Sequence, residues 1–207
     1  MSLAQALGDG LQALRLPLPD AARSRLLDYL ALVDKWNRVY NLTAVRERDR
    51  MLAHHVLDSL AVAPHLAGSA LLDVGSGAGL PGIPLAVARP ELAVTLLEAS
   101  HKKAAFLRQA AIELGLDNVD VVNARVETWD APRRYDVVIS RAFSDLAEFA
   151  GLAGRHCSEG GVLAAMKGVH PYEELAQLPL PYRASAVIAL EVPGLDAERH
   201  LVLVQRQ

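Results

Sequence analysis

The 207-residue sequence is 52% apolar and 22% charged, as in an ordinary globular protein that buries a substantial core. Its single cysteine, Cys157, excludes an intrachain disulfide framework and a zinc site built on paired thiolates. The formal net charge of −3 excludes strong attraction to naked nucleic acid through bulk charge alone. Because neither a signal-peptide pattern nor an apolar run of membrane-spanning length is found, we expect a cytoplasmic protein without a membrane partner.

Helical spacing dominates the first third of the chain. Apolar residues between Leu26 and Val39 trace one face of a predicted helix, and Pro17 and Pro19 separate it from a shorter helix. A further helical stretch runs over about residues 47–62. We therefore predict an N-terminal helical cap over residues 1–65.

After the helical part, short β-rich runs alternate with helical patterns. Strands separated by helices imply right-handed βαβ units and a mostly parallel sheet that is buried on both faces. The last two strand candidates have no room for a crossover helix between them, so they predict a C-terminal antiparallel hairpin. Residues 66–207 are thus expected to form a Rossmann-like α/β domain. The predicted strands are residues 70–74, 94–97, 119–122, 135–139, 161–165, 184–192 and 200–204, and the predicted helices are 84–88, 101–114 and 145–153.

A glycine-rich loop follows the first predicted strand directly. It carries the order Asp-x-Gly-x-Gly-x-Gly at Asp73, Gly75, Gly77 and Gly79, and a helical pattern comes next. Glycines at such a turn permit positive φ and let a ligand approach the backbone, while the next helix presents free N–H groups. A triphosphate loop is excluded, since Gly82 is not followed by the required lysine and hydroxyl residue.

The acidic residue beside the loop discriminates between the two remaining cofactors. A dinucleotide would place its anionic pyrophosphate near Asp73, whose charge would repel it. S-adenosylmethionine carries a sulfonium and an ammonium instead, so the same carboxylate attracts it. Glu98 ends the next predicted strand, where a carboxylate can accept hydrogen bonds from both ribose hydroxyls. The loop therefore predicts an S-adenosylmethionine site, the alternative being a tight turn without a ligand.

Short motifs are spread over nearly the whole chain. They comprise Trp36-Asn37 with Asn41-Leu42-Thr43, His55-Val56-Leu57-Asp58-Ser59-Leu60, the segment from Asp73 to Gly82, Lys102-Lys103 with Phe106-Leu107, Arg125-Val126-Glu127, Ile139-Ser140-Arg141-Ala142-Phe143 and Lys167-Gly168. Together they resemble the bacterial 16S rRNA guanine-N7 methyltransferase family, historically called glucose-inhibited division protein B. The N-terminal motifs are much more specific for this family than the glycine loop, which many methyltransferases share.

The resemblance implies a class I S-adenosylmethionine-dependent methyltransferase fold. It also implies methylation of N7 of a single guanine, guanine 527, in the 530 loop of 16S rRNA. By the same resemblance, Gly75 and Leu80 lie against the cofactor, Val126 and Glu127 flank its adenine, and Arg141 reaches the cofactor or the base.

Two positions depart from the family pattern. Residues 123–124 are Asn-Ala before Arg125, where many members have glycine, and Val126 stands where many have alanine. Val126 is one of the two residues that the resemblance places beside the adenine. Arg125, Lys102 and Lys103 are candidate substrate contacts, the alternative for the lysines being the solvated face of a helix.

The expected chemistry needs no general base. Guanine N7 already carries a lone pair, so the acceptor loses no proton before it attacks. The enzyme can act by holding N7 in line with the S–CH3 bond and by supporting the change in charge. Arg141 and Lys167, at or just past the ends of two predicted strands, are the candidate catalytic residues, since either cation can bind a phosphate or guanine O6. We expect an unpaired target guanine, because the deep groove of duplex RNA hides N7.

Polar residues near the N-terminal motifs are predicted to have structural roles. Asn37, Asn41 and Thr43 are expected to cap the second helix and build its turn. His55 is expected to bond to Asp58 or to backbone, and no metal is expected, because an HExxH pattern and a further ligand are missing.

The sequence is compatible with two other functions. A small-molecule methyltransferase of the same fold suits the isoelectric point of about 6.2, and fold alone does not separate it from an RNA enzyme. A non-catalytic module that binds S-adenosylmethionine is the second alternative. We favour a monomeric enzyme whose partner is 16S rRNA or the small ribosomal subunit.

Overall fold

The N-terminal third of the chain is helical in the computed structural model, which describes residues 2–143 and 145–207. The helix that spans residues 20–40 ends at Asn41, whose φ of 50° is left-handed, a conformation common at helix ends. The elements are α1 (Leu3–Ala13), α2 (Asp20–Tyr40), α3 (Arg48–Met51), a π-helical segment (Leu52–Leu57), α4 (Asp58–Leu60) and a 3₁₀ turn (Ala63–His65).

A seven-stranded sheet forms the centre of the molecule. Its strands are β1 (Ala70–Val74), β2 (Ala93–Leu97), β3 (Val119–Val122), β4 (Tyr135–Ser140), β5 (Cys157–Lys167), β6 (Tyr182–Ala189) and β7 (His200–Arg206). The strand order is β3-β2-β1-β4-β5-β7-β6. The first five strands pair in parallel, whereas β7 lies antiparallel between β5 and β6.

Helices cover both faces of this sheet. They are α5 (Gly82–Ala88), α6 (His101–Glu113), α7 (Leu146–Ala153) with a 3₁₀ turn (Gly154–His156), and α8 (Tyr172–Ala176). Successive residues of β1 point to opposite faces, so Leu71 and Leu72 enter different hydrophobic clusters. Leu71 packs in a cluster with residues of α1, α2, α5 and α6, and Leu72 in a cluster with residues of α7. The N-terminal helices therefore share a core with one face of the sheet.

The predicted fold class is confirmed: a mostly parallel α/β sheet, a C-terminal antiparallel hairpin and a helical N-terminal segment. β5 begins at Cys157, before the predicted start at Gly161, because Cys157 pairs with Tyr135 ahead of a register shift. The division of the chain after residue 65 stays a prediction. No described helix has the length and apolar character that crossing a bilayer requires.

Candidate active site

The glycine loop lies at the carboxyl edge of the sheet, where the strand order reverses between β1 and β4. In open α/β sheets this position forms a crevice for ligands. Gly75, Gly77 and Gly79 have φ values of 73°, 59° and 90°, which L side chains avoid. The N–H groups of Gly75 and Ser76 donate to the carbonyl of Leu97 at 2.8 and 3.2 Å. These bonds hold the loop against the end of β2.

The Asp73 carboxylate lies beneath the loop and is fully buried. Its Oδ2 accepts a hydrogen bond of 2.9 Å from the Gly82 N–H, and burial raises the pKa of Asp73 to about 7. A Cβ at Gly82 would overlap Leu96 Cδ2 and lie 2.8 Å from Asp73 Oδ2, so a side chain there would displace both residues. Asp73 thus stabilises the loop through this hydrogen bond. Its predicted effect on cofactor binding would come from the position of the loop and from the charge of the carboxylate.

Glu98 sits just past β2 and is almost fully buried. Its Oε2 accepts a hydrogen bond of 2.8 Å from the Gly77 N–H, and its Oε1 accepts one of 2.7 Å from the Ser100 N–H. The Asn123 side-chain amide donates to the Glu98 carbonyl at 2.8 Å. Each carboxylate oxygen has a second lone pair, so Glu98 keeps acceptor capacity for a ribose while it braces the loop.

A cleft of about 170 Å³ opens beside the ends of β1, β2 and β4, and we call it the Val126 cleft. Val126 is buried in its wall, whereas Arg125 and Glu127 are exposed at its rim. Leu97 and Phe143 supply further apolar lining. Apolar walls with a few polar groups are typical of a small-molecule site.

A second cleft of about 170 Å³, the Thr43 cleft, shares Gly75 and Ala142 with the Val126 cleft. Leu42 and Thr43, which follow α2, line it opposite the glycine loop. Leu80 also lines it and is nearly buried. The N-terminal segment and the first βα loop thus build this cleft together.

Two hydrogen bonds tie α2 to the Thr43 cleft. The buried Tyr29 hydroxyl donates to the Ala78 carbonyl in the glycine loop at 2.7 Å. The Asn37 side-chain carbonyl accepts a hydrogen bond of 2.9 Å from the Thr43 N–H. The turn-building role predicted for Asn37, Asn41 and Thr43 is confirmed, since Asn41 ends the helix and Asn37 fixes the chain beyond it.

A cavity of about 360 Å³, the Arg141 cavity, adjoins the Thr43 cleft through Arg141, which lines both. The Asp58 side chain is only 2% exposed, and its two oxygens lie 3.1 Å from Arg141 Nη1 and 2.9 Å from Arg199 Nε. Arg141 Nη1 also donates to the His54 carbonyl at 2.9 Å. One carboxylate therefore fixes two guanidinium groups, which leaves the wall of the cavity positively charged.

Lys167 lines the same cavity, but its ammonium already has partners. Its Nζ lies 2.6 Å from a carboxylate oxygen of Glu174 and donates to the Phe143 carbonyl at 3.3 Å. Glu174 belongs to α8, a five-residue helix that the sequence analysis does not predict. Glu174 thus offsets the charge of Lys167, whose catalytic role stays a prediction.

His55 bonds differently from the expectation. Its Nε2 pairs with Thr43 Oγ1 at 2.9 Å, while both oxygens of Asp58 bind arginines. Burial, together with the charge of Arg141, lowers the pKa of His55 to about 4, so its ring is neutral near pH 7. Of the two partners expected for His55, Asp58 is not one, because two cations compete for that carboxylate more strongly than a neutral ring. Backbone, the other expected partner, contributes through a bond at His54 that opposes the lowering of the His55 pKa. Within residues 2–143 and 145–207, no group of His, Cys, Asp and Glu side chains is arranged to hold a metal ion.

The remaining predicted substrate contacts lie apart from this cavity. Lys102 and Lys103 are on the first turn of α6, and neither lines the two clefts or the Arg141 cavity. Arg125 is exposed beside the Val126 cleft. The structure therefore separates these three residues from Arg141, and their contact with substrate stays a prediction.

Arg199 and Tyr29 are site residues that the sequence analysis does not identify. Arg199 lies 141 positions from Asp58 in the chain, and no local pattern marks it. Tyr29 is one of several buried residues on the inner face of α2, where the apolar periodicity predicts only packing. That periodicity does not reveal the hydrogen bond from its hydroxyl to the glycine loop. The sequence marks only their surroundings, because the segment around Asp58, the partner of Arg199, carries a family motif.

The strand order and the glycine loop define a Rossmann-like class I methyltransferase fold. The crystal structure of the glycopeptide N-methyltransferase MtfA matches 75% of this chain and 96% of its own chain, with a TM-score of 0.61 at 15% sequence identity. At the level of sequence, the rRNA small subunit methyltransferase G profile matches residues 22–202, and the chain belongs to this family.

Curated relatives of this family match the chain over its whole length. Ribosomal RNA small subunit methyltransferase G of Nitrosospira multiformis is 57% identical, over 100% of this chain and 99% of its own. The protein of the same name from Laribacter hongkongensis is also 57% identical, over 98% of each chain.

Proposed function

We propose that this protein transfers a methyl group from S-adenosylmethionine to N7 of a single guanine, guanine 527, of 16S rRNA in the small ribosomal subunit. The observation that carries the proposal is a row of three depressions at the carboxyl edge of the sheet that share lining residues, and we call this row the groove. Gly75 and Ala142 join the Val126 cleft to the Thr43 cleft, and Arg141 joins the Thr43 cleft to a positively charged cavity. The names of the full-length relatives support an rRNA substrate.

The first two clefts suit the parts of S-adenosylmethionine, which supplies an electrophilic methyl group when it is bound. In this proposal Val126 and Glu127 flank the adenine, and Glu98 accepts the ribose hydroxyls. Gly75, Gly77 and Leu80 hold the amino-acid part. A Cβ at Gly75 would come within 3.0 Å of Ala142 Cβ, so a side chain there would narrow the link between the clefts.

The Arg141 cavity suits the acceptor base. Arg141 and Arg199 are held by Asp58 on one side, and their remaining N–H groups can donate to guanine O6 or to a phosphate oxygen. Fixed donors of this kind orient N7 toward the methyl group without rearrangement during the reaction.

Proton transfer is not required of the residues in this cavity. Guanine N7 attacks through an existing lone pair, so no base has to remove a proton first. The neutral His55 ring is hydrogen-bonded to the Thr43 hydroxyl. This contact fits a role in positioning Thr43 and not in acid–base catalysis. We therefore expect a substitution of His55 to leave turnover unchanged, provided that the new side chain keeps the hydrogen bond to Thr43 Oγ1.

Nucleoside analysis tests this function. Small subunits from cells that lack the modification are incubated with the protein and S-adenosylmethionine, and their rRNA is digested and examined by mass spectrometry. We expect about one 7-methylguanosine gained per subunit with the wild-type protein. Gly75→Ala should reduce the yield at least about tenfold through its positive φ and its contact with Ala142.

Gly8→Ala is the matched control for this substitution. Gly8 lies in α1, and a Cβ there would meet no atom within 4 Å. The control should therefore act like the wild type. A different methylated nucleoside, or no gain of 7-methylguanosine despite binding of S-adenosylmethionine, would overturn the proposal.

A further inference from the structure

Exposed apolar and aromatic side chains gather where α2 ends. Trp36 and Tyr40 stack with ring centroids 5.2 Å apart and an interplanar angle of 28°. Trp36 is anchored from below by Phe106, at a centroid distance of 5.6 Å, and Phe106 is fully buried. Tyr40 is 38% exposed and its neighbour Val39 is 71% exposed. A supported aromatic platform therefore faces solvent at this helix end.

The same region carries positive charge in an otherwise acidic protein. The segment from Lys35 to Arg50 holds five basic and two acidic residues, whereas the whole chain has a net charge of −3. Asp34 pairs with Arg38 and Arg48. Arg46 instead donates to the neutral side-chain carbonyl of Asn41 at 3.3 Å, which holds the arginine beside the helix end without cancelling its charge. We call Lys35, Trp36, Val39, Tyr40 and Arg46 the α2-end surface.

The α2-end surface continues directly into the candidate active site. Asn41 ends the helix with a left-handed turn, and the next two residues, Leu42 and Thr43, line the Thr43 cleft. On the other side, Lys102 and Lys103 lie about one turn before Phe106 on α6, whose ring supports Trp36. The two lysines that stand apart from the Arg141 cavity are thus about one helical turn from the residue that supports Trp36.

We propose that the α2-end surface binds an unpaired rRNA nucleotide that flanks the target guanine, with its base stacked on Tyr40 and its phosphates near Lys35 and Arg46. This inference rests on the proposed function. The RNA next to the target guanine must be unpaired if the guanine N7 is to enter the groove. Unpaired bases stack on exposed aromatic side chains, and basic residues track the phosphate chain. A local basic surface of this kind reconciles an RNA substrate with the negative net charge of the protein.

The test compares the kinetics of methyl transfer to unmodified small subunits. Tyr40→Ala should raise KM for the subunit about tenfold, because one stacked base is lost, while kcat and the Kd of S-adenosylmethionine stay within about twofold. Tyr40→Phe should restore the wild-type KM, since stacking does not need the hydroxyl. Ile112→Ala, which removes a 75% exposed apolar side chain at the other end of α6, is the control and should leave KM unchanged.

The charged part of the surface has its own comparison. Lys35→Gln with Arg46→Gln should raise KM and reduce its dependence on salt, whereas Arg25→Gln, an exposed residue earlier on α2, should change neither. Ultraviolet crosslinking should join Tyr40 to rRNA. A KM that is unchanged in Tyr40→Ala while the wild type methylates rRNA would overturn this inference alone. So would crosslinking of Tyr40 to a ribosomal protein.

Binding without turnover separates this inference from the proposed function. Co-sedimentation of the protein with unmodified subunits, in the presence of S-adenosylhomocysteine, gives a Kd that does not depend on catalysis. If the wild type binds and Tyr40→Ala binds about tenfold more weakly, the surface is supported even where no methyl transfer is found. Equal binding of the two proteins would contradict the surface.

Discussion

Asp73 is a buried carboxylate whose charge depends on pH near neutrality. Burial raises its pKa to about 7, so the cofactor-free fold gains stability from this group at low pH and loses it as pH rises through about 7. The charged form attracts a sulfonium cation, so we expect the affinity for S-adenosylmethionine to rise several-fold between about pH 6 and pH 7.5.

Asp73→Asn should flatten this pH dependence. The amide keeps an oxygen that can accept from the Gly82 N–H but does not titrate. Calorimetric titration of both proteins with S-adenosylmethionine measures the effect. If the affinity of the Asp73→Asn variant for S-adenosylmethionine rises with pH as steeply as that of the wild type, titration of Asp73 does not cause the pH dependence.

Asp58 and Asp34 form a matched pair, because each carboxylate binds two arginines. The Asp58 side chain is 2% exposed and joins Arg141 to Arg199, whereas Asp34 is 14% exposed and joins two surface arginines. Loss of a carboxylate from a buried pair leaves uncompensated charge. We expect Asp58→Ala to lower the free energy of unfolding by about 3 kcal/mol and Asp34→Ala by less than about 1 kcal/mol. Urea denaturation measures both free energies of unfolding. Equal losses in the two variants would contradict the stabilising role of the buried Asp58 carboxylate between Arg141 and Arg199.

The glycine loop between β1 and α5 shows two different reasons for glycine. Gly77 and Gly79 both have positive φ, but a Cβ at Gly79 would lie 2.5 Å from Ile83 Cδ1, whereas one at Gly77 meets nothing closer than 3.8 Å. Gly77→Ala should therefore cost about 1 kcal/mol of stability from backbone conformation alone. Gly79→Ala adds overpacking and should cost about 3 kcal/mol. Thermal unfolding of the two variants compares them, and a smaller loss in Gly79→Ala would contradict the packing argument.

The π-helical segment (Leu52–Leu57) forms one wall of the Arg141 cavity through His54 and His55. It brings the His54 carbonyl to Arg141, and Asp58 follows directly at the start of α4. This segment and the residue after it therefore supply two of the groups that hold the Arg141 guanidinium. π-helical turns inside helices occur often at functional sites. The helix periodicity of residues 47–62 predicts a helix here but not this widening, because apolar spacing alone does not distinguish the two hydrogen-bond patterns.

At the scale of the whole molecule, the N-terminal helices and the sheet share one hydrophobic cluster. Leu7 of α1, Leu30 of α2 and Leu57 belong to the same cluster as Leu71 of β1 and Phe106 of α6. Because this cluster is common to both predicted parts, we expect residues 1–65 and 66–207 to unfold together in one transition. Circular dichroism and tryptophan fluorescence should give coincident curves. Two separate transitions would show that the helical cap is an independent unit.

The sequence predicts what is local and misses what depends on distant partners. Alternating strand and helix patterns predict the sheet, and the glycines after Asp73 predict the loop, because each signal lies within a few residues. The contact between Asp58 and Arg199 spans 141 positions, and the bond from Tyr29 to Ala78 spans 49, so neither is visible in a pattern of apolar spacing. The burial of Asp73 follows from packing of the whole sheet. Lys167 and Glu174 are only 7 positions apart, but α8 has five residues, too few for an apolar periodicity to predict the helix that carries Glu174.

Transfer of labelled methyl groups from S-adenosylmethionine to unmodified and fully modified small subunits tests the proposed function most directly. Chain cleavage specific for 7-methylguanosine then locates the product. We predict about one label per unmodified subunit, at guanine 527, and none on subunits that already carry the modification. Label at another position, or no label on rRNA from a protein that binds the cofactor, would contradict the proposed function and direct the search to a small-molecule acceptor.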